Sequence, residues 1–274
     1  MKAFYKPLAA ACLAALALTA CTKEAKEVTQ DYVSDEVVSR IQSLGFGTHG
    51  IIKTTDGYIV EGDILLTADN LSSAPTSPAL IIAQEEQYRT FNLVSPSKYP
   101  TIKVALSNSS SAHQSAFSAA LDEAIRRFNA ESLTIKFARV NSNSNTTVVA
   151  YYEKSNVLGS AGFPSSTGAP YSQVKMNTYH YSTSTSSTNT NYIATIMAHE
   201  LGHCIGFRHT DYMNRNYSCG TGGNEGQATT GVGAVHIPGT PTGPDARSWM
   251  LACIGSNVNR PFNSNDKTAL KYVY

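Results

Sequence analysis

The segment from His199 to Asp211, "HELGHCIGFRHTD", narrows the possible folds of this chain more than any other stretch. On a helix of about 100° per residue, positions four apart share a face, so His199 and His203 can offer two imidazoles to one cation. Glu200 is rotated off that direction, too far to bind the cation yet near enough to accept a proton from water beside it. His209 cannot join from the same straight helix, because the rise carries it away. Gly206 removes the difficulty, since a residue without Cβ lets the chain bend sharply and bring His209 back. The fold must therefore provide a helix that stops abruptly and a return loop.

Three neutral imidazoles leave a fourth position for water, the arrangement of a catalytic rather than a structural Zn2+ site. With Glu200 collecting a proton and passing it to a leaving amine, the parts are those of peptide hydrolysis. The fixed positions of HExxHxxGxxH are all present, at His199, Glu200, His203, Gly206 and His209, and the chain resembles the metzincin metallopeptidases from about Thr101 onward. The resemblance implies an α+β fold: a metzincin-like catalytic domain with a twisted mixed sheet, a backing helix, an active-site helix, and a Gly-rich C-terminal subdomain ending in a helix. It also implies a methionine turn under the metal. Ser248-Trp249-Met250 is similar to that turn, with Met250 as an apolar floor rather than a ligand. Some metzincins place an extra tyrosine ligand two residues after the methionine; here that position is Ala252. "GAVHIPGTPTG" from Gly233 and "SWMLAC" from Ser248, together with the histidine segment, are similar to the bacterial HEIGH-type metallopeptidases, which implies a secreted peptidase and says little about its substrate.

Two upstream stretches add expectations. "LGSAGFP", Leu158 to Pro164, resembles the edge strand on which metzincins lay their substrate, with Ser160, Ala161 and Gly162 offering free backbone groups to an extended peptide. A Gly/Pro loop is the alternative. Val60 to Ile64, "VEGDI", resembles the FEGD motif of astacin propeptides, in which the aspartate fills the metal's open position. The resemblance implies a latency switch at Asp63; a Gly-Asp turn between strands is the competing account. Processing is then expected near Arg89.

Lys2 and Lys6 precede an apolar run from Leu8 to Leu18, too short to span a bilayer and shaped like a signal-peptide core. The run ends in Leu18-Thr19-Ala20-Cys21, which resembles a bacterial lipobox and implies lipidation at Cys21, with the polar residues to Gln30 as a tether. An envelope lipoprotein at the outer membrane or cell surface is expected, released after processing. Cys204, Cys219 and Cys253 then remain in an oxidising compartment, enough for one disulfide of open pairing and one spare thiol.

The expected organisation is a signal peptide over 1–20, a tether over 21–33, an N-terminal pro-segment over 34–95 and the catalytic domain over 96–274. Ser34 caps a short helix that Gly45 stops, and "GYIVEGDILLT" from Gly57 is β-rich. From Thr101, alternating Ile102, Val104 and Leu106 predict a strand, and Phe117, Leu121, Ala124, Ile125 and Phe128 a helix. Strands follow at Leu133, Ile135 and Phe137, at Val148 to Tyr152, and around Val174 and Met176. Eight glycines and three prolines between Tyr217 and Arg247 predict an irregular region, and Ser264 starts a final helix.

Charged residues are 15% of the chain and the formal net charge is +1, with Lys and Arg scattered, which argues against nucleic acid as a partner. The expected partners are a peptide or protein substrate and, through Cys21, a membrane; a monomer is expected. The alternative class is a zinc-stabilised surface adhesin or glycan-binding lipoprotein without peptidase activity. Glu200 discriminates, because a structural site has no use for a base. Asp211 is expected to orient an imidazole or brace the turn, and His49, His113, His180 and His236 to serve packing or solvation.

Overall fold

The computed structural model describes residues 32–73, 87–107, 111–220, 231–241 and 243–274. The signal run, Cys21 and most of the tether lie outside the described residues.

Ser34 accepts from the Val37 N–H and starts α1 (Asp35–Ser43), whose acidic first turn suits the positive end of a helix. A meander follows: β1 (Ile52–Thr54), β2 (Gly57–Val60) and β3 (Ile64–Leu66), all antiparallel, then the short capped helix α2 (Ala68–Ser72). Their buried side chains, Ile41, Leu44, Phe46, Val60, Ile64, Leu66 and Leu71, form a core of their own that also takes in Phe163 and Val232.

After the short strand β4 (Tyr88–Arg89) come β5 (Thr101–Leu106), α3 (Gln114–Asn129) and β6 (Lys136–Val140). β5 and β6 pair in parallel, which is why a long helix joins them. The strand expected at Leu133 begins three residues later; Leu133 and Ile135 are buried against the same core as the helix. β7 (Thr146–Tyr151) alternates buried and half-buried residues, and β8 (Gly159–Ala161) and β9 (Gln173–Asn177) complete the large sheet. Its order among the described residues is β1-β2-β3-β8-β9-β7-β5-β6. β8 runs antiparallel to β9 and parallel to β3, so the strand expected at an edge is interior here, with Gly162 just past its end.

α4 (Ser187–Cys204) begins at the Ser186 cap and is buried nearly all round from Tyr192 to Cys204. Such a helix packs on every face: Ile193, Met197 and Leu201 share a core with Phe117, Leu121 and Phe128 of α3 and with Val148, Val174 and Met176 of the sheet. α5 (Asn216–Cys219), β10 (Val235–His236), which pairs with β4, and the capped C-terminal helix α6 (Ser264–Val273) finish the chain. The mixed sheet, backing helix, active-site helix and terminal helix are thus present. A Cys219–Cys253 disulfide settles the pairing and leaves Cys204 as a buried free thiol in the core.

Candidate metal centre

The metal segment is built by a helix end and a borrowed strand. α4 ends at Cys204, and Gly206 adopts φ +107°, a conformation that L side chains resist. Space excludes a side chain there as well, since a Cβ would lie 2.8 Å from Leu93 Cδ2 and 3.0 Å from Asn92 O. Beyond the bend, the chain runs beside β4: Thr90 N–H donates to Gly206 O at 2.7 Å and Arg208 N–H to Tyr88 O at 2.9 Å. That pairing holds His209 back over the helix. Thr210 N–H then donates to Met250 O at 2.9 Å and ties the return loop to the floor.

The floor is Trp249 and Met250, both buried. They press so closely under α4 that a Cβ at Gly202 would meet the Trp249 ring at 2.5 Å and Met250 Sδ at 2.8 Å. Trp249 also orients the first imidazole, as its carbonyl oxygen lies 2.9 Å from His199 Nδ1. Phe207 O stands in the same relation to His203 Nδ1 at 2.8 Å. A carbonyl only accepts, so each Nδ1 carries the proton and each Nε2 keeps a lone pair for a metal. Burial holds the His203 imidazole well below its ordinary pKa, with His199 adding to the effect.

These lone pairs converge with a carboxylate from the N-terminal segment. Asp63 Oδ2 lies 3.2 Å from His199 Nε2, and Oδ1 lies 3.1 Å from His209 Nε2 and 3.9 Å from His203 Nε2. Ligand atoms of Asp63, His199, His203 and His209 all fall within 4.8 Å of one another. His203 Nε2 is buried and makes no hydrogen bond, an arrangement that costs free energy unless a cation is held there. The donor set, three imidazoles and one carboxylate, fits a four-coordinate transition-metal ion. Burial pushes the Asp63 carboxyl upward, but His209 and His199 more than offset it and hold it well below the usual range.

Glu200 sits beside this cluster without joining it. Its Oε2 is buried and makes no hydrogen bond, and a Cβ on Gly159 of β8 would come within 2.8 Å of Oε1. Burial, then the Asp63 carboxylate, pushes Glu200 well above an ordinary glutamate. A cavity of about 200 Å³ opens next to His199 and Glu200 and reaches Leu251, Ala252 and Cys253.

The structure brings His199, Glu200, His203, His209, Asp63 and Met250 together, with Ser160 and Ala161 in the strand alongside. Asp63 enters on the turn between β2 and β3, and Ala161 N–H donates to its carbonyl oxygen at 3.1 Å. Asp211 bonds no imidazole; it accepts from Ala252 N–H and Ser218 Oγ and so braces the chain after Met250. His113 and His180 bond the carbonyls of Tyr181 and Ser155, and His236 bonds Thr240. Sequence reasoning passed over Glu61, Arg208, Arg215 and Arg260, which surround the site; Glu61 was visible only as the neighbour of Gly62 and Asp63.

Residues 58–274 match the model of a family described as "Dual-action HEIGH metallo-peptidase". No curated protein matches the chain. Among solved structures, one titled "Structure of myroilysin" is similar at 15% identity over 67% of this chain and 96% of that one, with a TM-score of 0.43.

Proposed function

This chain belongs to the dual-action HEIGH metallopeptidase family, and from that premise we propose that it is a zinc endopeptidase of the metzincin kind, exported, lipid-anchored at Cys21 and held latent by Asp63. The observation that carries the reading is the convergence of three imidazoles within 4.8 Å of one another and of a carboxylate, beside a buried glutamate without a hydrogen bond at Oε2.

His199, His203 and His209 would hold the zinc, and their Nδ1 or ring partners fix them in place. When bound, zinc supplies Lewis acidity to water and to a peptide carbonyl. Glu200 takes a proton from the attacking water and returns it to the leaving amine nitrogen. Its burial favours a proton-accepting group poised nearer neutrality than an exposed carboxylate. Ser160 and Ala161 offer backbone groups for an extended substrate once the pairing on their open side is vacated.

Latency follows from where the N-terminal segment sits. With zinc on the three imidazoles, Asp63, whose Oδ1 lies 3.1 Å from His209 Nε2, would take the place of the water, and β3 would take the side of β8 that a substrate strand uses. Activation then requires a cut that lets β1, β2 and β3 leave. Arg89 is paired within β4, and Gln87 and Tyr88 are fully buried, so the cut belongs upstream of Gln87. The Cys21 anchor places the enzyme in the cell envelope, and processing would release the catalytic part from it.

The test is turnover of an unstructured protein by the processed chain. Cleavage should be abolished by a zinc chelator, restored by added zinc and reduced about 10²–10⁴-fold in Glu200→Ala. Equal turnover by Glu200→Ala and the parent would remove Glu200 from the mechanism.

A further inference from the structure

The cavity beside His199 and Glu200 is smaller than the roughly 300–1,000 Å³ typical of pockets for whole small molecules, at about 200 Å³, and suits a single side chain. Two of the residues lining it are arginines, Arg215 and Arg260, at a position where a peptide bond would be cut.

Arg260 is the more informative. Its backbone N–H donates to Thr195 Oγ1 on α4 at 3.0 Å, and its guanidinium donates to Cys253 O at 3.3 Å; both partners also line the cavity. Among the described residues none of its hydrogen bonds goes to a carboxylate. Burial lowers its pKa, while Asp211, Asp266 and Asp245 act in the other direction. Those three carboxylates are engaged elsewhere. Asp211 holds Ala252 and Ser218, Asp266 holds Gln87, Ser248, Trp249 and Asn263, and Asp245 holds Asn263 and Asn265. A half-buried guanidinium has donors to spare in a partly dry cavity, where a carboxylate is worth far more than in water. Arg215 lies near the N-terminal segment, its Nη2 3.2 Å from where a Cβ on Gly62 would be.

We propose that this cavity is a specificity pocket for an acidic side chain, with Arg260 as the principal selecting residue and Arg215 as the second, so that the substrate carries Asp or Glu next to the bond that is cut. The inference rests on the peptidase reading and deepens it. Glu200 and Asp63 also line the pocket and disfavour a carboxylate placed against them, so Arg260 is the contact that decides.

The test reads binding rather than turnover. The processed, zinc-loaded chain carrying Glu200→Ala is titrated with a panel of peptides, each with one Glu moved along an otherwise neutral sequence, and with Gln counterparts. At one position Glu should bind about tenfold tighter than Gln, as expected for a charge-assisted contact. Arg260→Gln should abolish that preference, and Arg260→Lys should retain part of it. Arg215→Gln, read the same way, keeps the question open to an answer should Arg260→Gln fail to fold. Equal binding of every Glu and Gln pair, or a Glu preference that survives both arginine substitutions, overturns the proposal. Selective binding by this chain with no cleavage by its Glu200-bearing parent would uphold the pocket and count against the peptidase reading alone.

Discussion

The Arg208 guanidinium lies 3.1 Å from the Glu61 carboxylate, and the two side chains are 0% and 1% exposed. Arg208 also donates to Gly45 O and lies over the Phe46 ring at 4.0 Å, while Glu61 accepts from Gly47 N–H. One member of the pair precedes the third imidazole; the other stands two residues before Asp63. The pair therefore locks the N-terminal segment to the return loop, and His209 Nδ1 faces the same carboxylate at 3.7 Å.

Breaking such a pair from one side leaves a buried charge uncompensated, at a cost of about 3–5 kcal/mol. Glu61→Gln should lower stability by that order in denaturant unfolding. Adding Arg208→Met should recover part of the loss, because the stranded charge is gone. A Glu61→Gln chain as stable as the parent would show that the pair holds nothing.

Asp63→Ala should leave the N-terminal segment docked but free the metal's fourth position. With β3 still against β8, the full-length variant should show only slight cleavage of an unstructured protein before processing, where the parent shows none, and its cobalt-substituted form should show a visible spectrum altered by loss of a carboxylate ligand. An unchanged spectrum together with unchanged latency would reject the switch.

Gly202 bears on how tightly the helix sits on its floor. Gly202→Ala places a methyl 2.5 Å from the Trp249 ring and 2.8 Å from Met250 Sδ, and overpacking of this kind costs about 1–3 kcal/mol. Because Trp249 O also holds His199, metal affinity should fall with stability. Unaltered melting and metal affinity would mean that the floor yields freely.

Asp266 predicts a pH dependence. Burial raises its pKa to about 6 from 3.8, even though it accepts from Asn263, Ser248, Trp249 and Gln87. The folded state thus holds a proton that the unfolded state releases, and folding stability falls as pH rises between those values. The contribution is fully present below 3.8 and is lost through about pH 6; it amounts to about 3 kcal/mol. The stability difference between the parent and Asp266→Asn should shrink in the parent's disfavour over that interval. A difference independent of pH would contradict it.

What was legible in the sequence was local. His199, Glu200, His203, Gly206 and His209 are bound by spacing on one helix and its bend, so their meeting could be read from the residues alone. Phe117 to Phe128 and the alternation of β5 were equally plain, because helix and strand periods differ. The partners of these elements were not. That β3 lies against β8, turning an expected edge into an interior strand, depends on sheet order across about a hundred residues of sequence, which no local pattern carries. Glu61 and Arg208 are 147 residues apart and read singly as ordinary charged residues. Arg260 became visible only through the cavity it lines.

The most direct test of the central claim is elemental analysis of the purified chain beside its single-residue variants. About one zinc per chain is expected in the parent and in Glu200→Ala, and a large loss in His209→Ala, since three imidazoles must act together on one cation. A parent that takes up no zinc, or a His209→Ala chain that keeps its full complement, would contradict the account.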